Sequence, residues 1–183
     1  MTEMAGALAV FRWVAGALLL ATAPVSAATP DDPAATVPAS REDARIAGQL
    51  KALDYQYVVT EDRDYRLIFE IGDDKRTQAV VANSNTEFYN QAELREIWSI
   101  ALKVAAPIDP LLADRLLKAN NNVKLGAWRE WPGDKVGERQ EIYIVFAAQI
   151  DAKAPNEVLD ATLNLVSQTA DDLEKELTQQ DER

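Results

Sequence analysis

The chain has 183 residues, 48% of them hydrophobic, and its 30 acidic against 19 basic residues give a net charge of −11. That acidity makes nucleic acid and anionic lipid surfaces poor partners. There is neither histidine nor cysteine, which removes the usual general acid/base near neutral pH, the commonest metal ligands, the readily activated thiolate and any disulfide.

Ala5 to Ala28 is a run of small and apolar residues whose only charge is Arg12. Its apolar core, Val14 to Ala23, is shorter than the roughly 18–20 residues that span a bilayer. Val25-Ser26-Ala27 places small residues where a signal peptidase cuts. Residues 1–27 are therefore expected to be a signal peptide cleaved before Ala28. The alternative is an uncleaved inner-membrane signal anchor. The expected location is periplasmic or secreted, with no membrane span after cleavage. Residues 28–39, rich in alanine, proline and aspartate without periodicity, read as a disordered linker. Residues 40–181 are of single-domain size.

Ser40 and Asp43 form an S-x-x-D capping pattern ahead of Ile46, Ala47, Leu50 and Leu53, which predicts a helix ending near Asp54. Tyr55 to Val59, Tyr65 to Ile71 and Thr77 to Ala82 alternate as three strands, separated by the polar turns Glu61 to Asp64 and Gly72-Asp73-Asp74. Such short turns imply an antiparallel meander. Asn83-Ser84-Asn85 reads as a polar loop at a strand end. Asn90 with Glu93 reads as a helix start. Leu94, Ile97, Trp98, Ala101, Leu102 and Ala105 then supply a helical apolar face. Asp109 caps a follow-on helix with Pro110 at its first position, carried by Leu112, Leu116 and Leu117. That helix ends at Asn120-Asn121-Asn122, residues that tolerate a left-handed C-terminus.

Val123 to Trp131 and Glu141 to Ile150 are the remaining strands, joined by a loop opening at Trp131-Pro132-Gly133-Asp134. The second of them is apolar on both faces, as a central strand is. Leu159, Leu163, Val166, Ala170, Leu173 and Leu177 recur every three or four residues in a last helix over 155–177. That stripe suits packing on the chain's own sheet better than a coiled coil. The expected fold is α+β, an antiparallel five-stranded sheet packed with helices in the order α-β-β-β-α-β-β-α.

No serine after the signal lies in G-x-S-x-G, and no histidine could activate one. Carboxylates remain the one acid/base system, with Glu61, Asp62 and Asp64 in one turn and Asp73 and Asp74 in the next. Aspartates in turns are ordinary turn chemistry, however. Asp62-x-Asp64 lacks the rest of a calcium loop, and no glycine-rich phosphate loop is present. The expectation is no cofactor, no metal and no catalytic residue. The better lead is aromatic. Trp128 and Trp131 flank Arg129 and Glu130. Trp128 would lie opposite Val123, Leu125 and Ala127 on its strand and so near the surface, where tryptophan anchors interfaces. The candidate partner-binding set is Trp128, Trp131 and Arg129, together with the loop residues Asn83 and Asn85.

The element order, the small acidic chain, and the segments Leu117-Lys118-Ala119-Asn120, Val123-Lys124-Leu125-Gly126-Ala127-Trp128, Ile142 to Ile150 and Ala170-Asp171-Asp172-Leu173-Glu174 resemble the YbjN-like domain family, of type III secretion chaperone-like fold. The resemblance spans roughly Ser40 to Asp181. It implies a non-enzymatic domain that acts through protein contacts or as a homodimer, and it transfers no catalytic residues. The functional expectation is an exported interaction domain, chaperone-like or adaptor, for a protein or peptide. A small-ligand binding protein and a carboxylate-dependent hydrolase are the alternatives.

Overall fold

The structure, a computed structural model, describes residues 41–73 and 75–178. The expected signal peptide, linker and anchor, and with them Ser40, Asp74 and Asp181, lie outside the described residues. The elements are α1 (Ala44–Ala52), β1 (Val58–Val59), β2 (Tyr65–Ile71), β3 (Arg76–Tyr89), β4 (Ala92–Ala105), α2 (Pro110–Asn120), β5 (Ala127–Val136), β6 (Arg139–Asp151) and α3 (Asn156–Thr178). The α+β class is as expected. The sheet, however, has six strands rather than five, in the spatial order β1-β2-β3-β4-β6-β5, with every neighbouring pair antiparallel. The chain order is therefore α-β-β-β-β-α-β-β-α.

The largest departure is β4. The segment expected to form a helix from Asn90 is a 14-residue strand. Glu93, Arg95, Ile97, Ser99 and Ala101 alternate on its buried side, while Leu94, Trp98 and Ile100 face the other way. Both faces thus carry apolar residues, and together they imitate a helical 3–4 spacing. Asn90 is not a helix cap. It takes a left-handed backbone, φ 54°, in the two-residue turn between Tyr89 and Ala92, where β3 and β4 close a hairpin. Asparagine tolerates that conformation.

Other boundaries move for local reasons. Asp43 itself caps α1, accepting the Arg45 N–H at 2.9 Å. Asp109 caps α2 as expected, accepting from Leu111 and Leu112 at 2.8 and 3.1 Å. Asn121, by contrast, ends α2 in a right-handed rather than left-handed conformation. Val123 to Leu125 lie outside β5, which starts only after Gly126 at φ 90°. A Cβ on Gly126 would come 2.8 Å from the Ala147 carbonyl oxygen, so the chain turns there on the one residue that fits. The expected loop at Pro132-Gly133-Asp134 is inside β5, absorbed by a bulge between Pro132 and Lys135. Pro132 and that bulge blunt this outer strand against pairing with another chain.

All three helices pack on one face of the sheet. Ile46 and Leu50 of α1 and Leu159, Leu163 and Val166 of α3 bury Tyr65, Leu67, Val80, Ala82, Ile97, Phe146 and Ala148. Leu116 of α2 joins Ala170 and Leu173 of α3 over Ala101, Leu102 and Ile144. The stripe on the last helix is thus a core stripe, with Leu177 left 41% exposed at its end. Burial of these apolar side chains is the main stabilising term. Residues 91–120 thus form no single helix: β4 fills the first half and α2 the second.

Candidate functional site: the helix-free face of the sheet

Register decides which side chains share the other face. Arg66 pairs with Val81, Val81 with Trp98, Trp98 with Ala147, and Ala147 with Ala127. Directly opposed residues in an antiparallel sheet point to the same side. One strand step along, Ile68 pairs with Ala79, and Ile100 with Val145, which pairs with Arg129. These residues look away from the helices.

The central group on this face is Trp98. Its indole Nε1–H donates to Asn83 Oδ1 at 2.7 Å. Its ring meets Trp131 edge to face, with centroids 4.8 Å apart at 64°, a favoured aromatic geometry. Beside them Arg129 forms an ion pair with Glu96. Three of the five candidate residues, Trp131, Arg129 and Asn83, are therefore brought together. Asn85 is exposed on the same bulged segment of β3, with nothing to place it in the group. Trp128 is not part of it, contrary to expectation. It opposes Phe146, packs on that ring at 5.1 Å and touches both core clusters under the helices. The reason is Gly126, which breaks the strand, so the alternation counted from Val123 does not carry through to Trp128.

Asn83 is aimed by a bulge. Between the pairs Ala82↔Ile97 and Thr86↔Arg95, β3 spends three residues where β4 spends one. Asn83, Ser84 and Asn85 are this bulge, not a loop at a strand end. Bulges of this kind re-aim side chains. The bulge is held by a buried charge network. Arg95, 1% exposed, donates to the Asn83 and Ser84 carbonyls and, at 2.5 Å, to Asp43. Asp64 accepts the Ser84 N–H at 2.7 Å. Arg45 bridges Asp43 and Glu93, reaching the latter at 2.6 Å. Burial alone would raise the Asp43 carboxyl, but the hydrogen bonds from Arg45 and Arg95 outweigh it and hold the group well below the usual carboxylate range. The Arg45 guanidinium, with the Thr86 hydroxyl, lowers Glu93 to about 2. Asp64 moves the other way, pushed up by burial.

Towards the far end of the sheet the face deepens. The ladder between β3 and β4 begins at Val81↔Trp98. Beyond it, side chains join the two backbones. Ser99 Oγ donates to the Ala79 carbonyl at 2.6 Å, and Gln78 Nε2 donates to Ser99 Oγ at 2.6 Å and to the Ile100 carbonyl at 2.7 Å. A groove of about 840 Å³ follows this seam, lined by Ile68, Ala79, Val81, Trp98, Ile100 and Leu102, with Arg66, Glu70, Lys75 and Lys103 at its margins. That volume lies in the range of small-molecule and cofactor sites. Glu174 of α3 also contributes to the lining, but its carboxylate is engaged by Arg76 at 3.0 Å, next to the 2.7 Å Arg76–Asp171 pair.

Of the turn acids considered for catalysis, Glu61, Asp62 and Asp73 are exposed, whereas Asp64 is half-buried and holds the bulge. Among the described residues, no group of three or more Asp or Glu is placed to hold a metal ion. No helix among them is long and apolar enough to cross a membrane. Trp98, Ile68, Ile100, Lys75 and Lys103 were absent from the candidate set. Trp98 and Ile100 are hidden by the helical spacing of β4, and only a strand reading puts Trp98 opposite Val81 and Ile100 opposite Val145. Compared with known proteins, the chain matches no family model and no curated protein.

Proposed function

We propose that this is an exported, non-enzymatic interaction domain, chaperone-like or adaptor, that receives its partner on the helix-free face of the sheet. The observation that carries the reading is the apolar and aromatic surface left there. Trp98, Trp131, Ile100 and the 53% exposed Ile68 sit on the side opposite the helices. A sheet face of this kind, with a few oriented polar groups, has the composition of an interface centre. The YbjN-like resemblance belongs to the same proposal. The carboxylate-hydrolase alternative gains nothing from the geometry, since Asp64, Asp171 and Glu174 are each tied to a structural partner.

A photoreactive residue placed at Ile68 in the full chain, expressed in a Gram-negative cell, tests the reading. The expected result is a discrete crosslinked adduct from Ile68 and none from Leu117, which is 69% exposed on α2. Adducts from Leu117 alone would move the interface to the helices. An adduct of twice the chain mass would identify the partner as a second copy. A second reading, a small-ligand binding protein, is favoured by the volume and apolar lining of the groove.

A further inference from the structure

The groove differs in sign from the rest of the molecule. The chain carries 30 acids against 19 bases. Yet the groove margins hold three cations, Arg66, Lys75 and Lys103, against Glu70 and the Arg76-bound Glu174. Among the described residues, no carboxylate lies within ion-pair distance of Arg66, Lys75 or Lys103. Lys103 Nζ instead rests over the Tyr143 ring, 5.7 Å from its centroid. The cations are also placed with direction. Lys75 directly precedes β3 and Lys103 stands near the end of β4, so both mark the same end of the groove. Val81 and Trp98 mark the other end, six residues of β3 away, or about 20 Å of strand. Between them the open-face lining is Ile68, Ala79 and Ile100, with Leu102 reaching the groove from the helix-side core.

We infer that the groove binds a single-chain anionic amphiphile, its head between Lys75 and Lys103 and its alkyl chain along Ile100, Ile68 and Val81 towards Trp98. The inference rests on the helix-free face being the binding surface and names the chemistry received there. An apolar trough alone would accept any hydrocarbon. The two lysines at one end select charge and direction. Because both lysines are exposed, the charge contribution weakens with salt, whereas the alkyl contribution grows with buried methylenes. The free carboxylate of a fatty acid and the phosphate of a lysophospholipid share this chemistry.

The test titrates the full chain, below micellar concentrations, with laurate, dodecyl phosphate, dodecyl maltoside and dodecyltrimethylammonium. Heat and the tryptophan indole N–H resonances are read together. The expected result is one site per chain for the anions, at least tenfold tighter than for the cation. Trp98 and Trp131 resonances shift and Trp128 stays still. The Lys75→Glu/Lys103→Glu double variant, altered only at exposed side chains, weakens the anions at least tenfold and leaves the maltoside unchanged. The laurate and dodecyl phosphate arms separate a carboxylate from a phosphate head. Equal binding of all four heads, or anion binding untouched by the double variant, overturns the inference. If Trp98 still shifts in that case, the open face remains the binding surface. Binding that leaves Trp98 and Trp131 unmoved overturns both. Silence of every amphiphile, with an acidic peptide shifting Trp98, overturns the amphiphile and keeps the face.

Discussion

Arg95 is the side chain on which the aimed face depends most. It is the largest of the fully buried side chains, and its guanidinium holds two carbonyls of the β3 bulge as well as the Asp43 cap of α1. Replacing it by methionine strips its donors from the two bulge carbonyls and leaves Asp43 to Arg45 alone. The expected cost is about 3–5 kcal/mol, the usual range for breaking a buried pair, read as a lower urea midpoint at unchanged slope. The Trp98 indole resonance should move as well, because Asn83 would no longer be fixed. The same cluster predicts an acid response. Asp43 and Glu93 both titrate below their ordinary values when folded. Their pairing therefore stabilises the fold above the unfolded carboxylate pKa and is lost as pH falls. The window set by Glu93 runs from its ordinary value of 4.5 down to about 2. Urea midpoints measured across that window should decline, and Glu93→Gln should flatten part of the decline. An identical slope in that variant would remove Glu93 from the account.

At the scale of elements, α1, α2 and α3 were legible because each combines an apolar stripe with a capping or proline signal, and β2 and β6 because their alternation is bounded by turns. β4 was not, for a physical reason. Its buried row contains Glu93, Arg95 and Ser99, charges and a hydroxyl satisfied only by partners such as Arg45, Asp43 and Ala79. Burial of such residues shows in no hydropathy pattern, because it depends on distant parts of the chain. The same spacing conceals the site, because a helical period in this segment does not set Trp98 beside Trp131. Gly126 does the same for Trp128 by shifting the parity of β5. Two substitutions check this placement. Gly126→Ala meets a positive φ and the Ala147 carbonyl at 2.8 Å, and should cost roughly 1–3 kcal/mol. Trp128→Ala removes a ring from both core clusters and should cost about 3–5 kcal/mol, whereas Trp98→Ala should cost clearly less. A larger loss from Trp98→Ala would reverse the assignment of the two faces.

For the whole molecule, the absence of histidine and cysteine has a structural counterpart. Without disulfides, the domain holds its six strands through a one-sided helical layer and buried arginine–carboxylate pairs, Arg95–Asp43 at one end and Arg76 with Asp171 and Glu174 at the other. The second sheet face is left to its own side chains, with Val145 and Ala147 fully buried beneath its tryptophans and Ile68 standing out. The most direct measurement of the central claim is paired affinity capture from the cell envelope with the full chain, its Trp98→Ala variant, and a Phe88→Ala/Tyr89→Ala variant at the exposed β3–β4 hairpin tip. All three should first be shown folded by circular dichroism. The account predicts the same partner from the wild-type chain and the hairpin variant, and at least tenfold less from Trp98→Ala. Undiminished capture by Trp98→Ala, with loss in the hairpin variant, would contradict it.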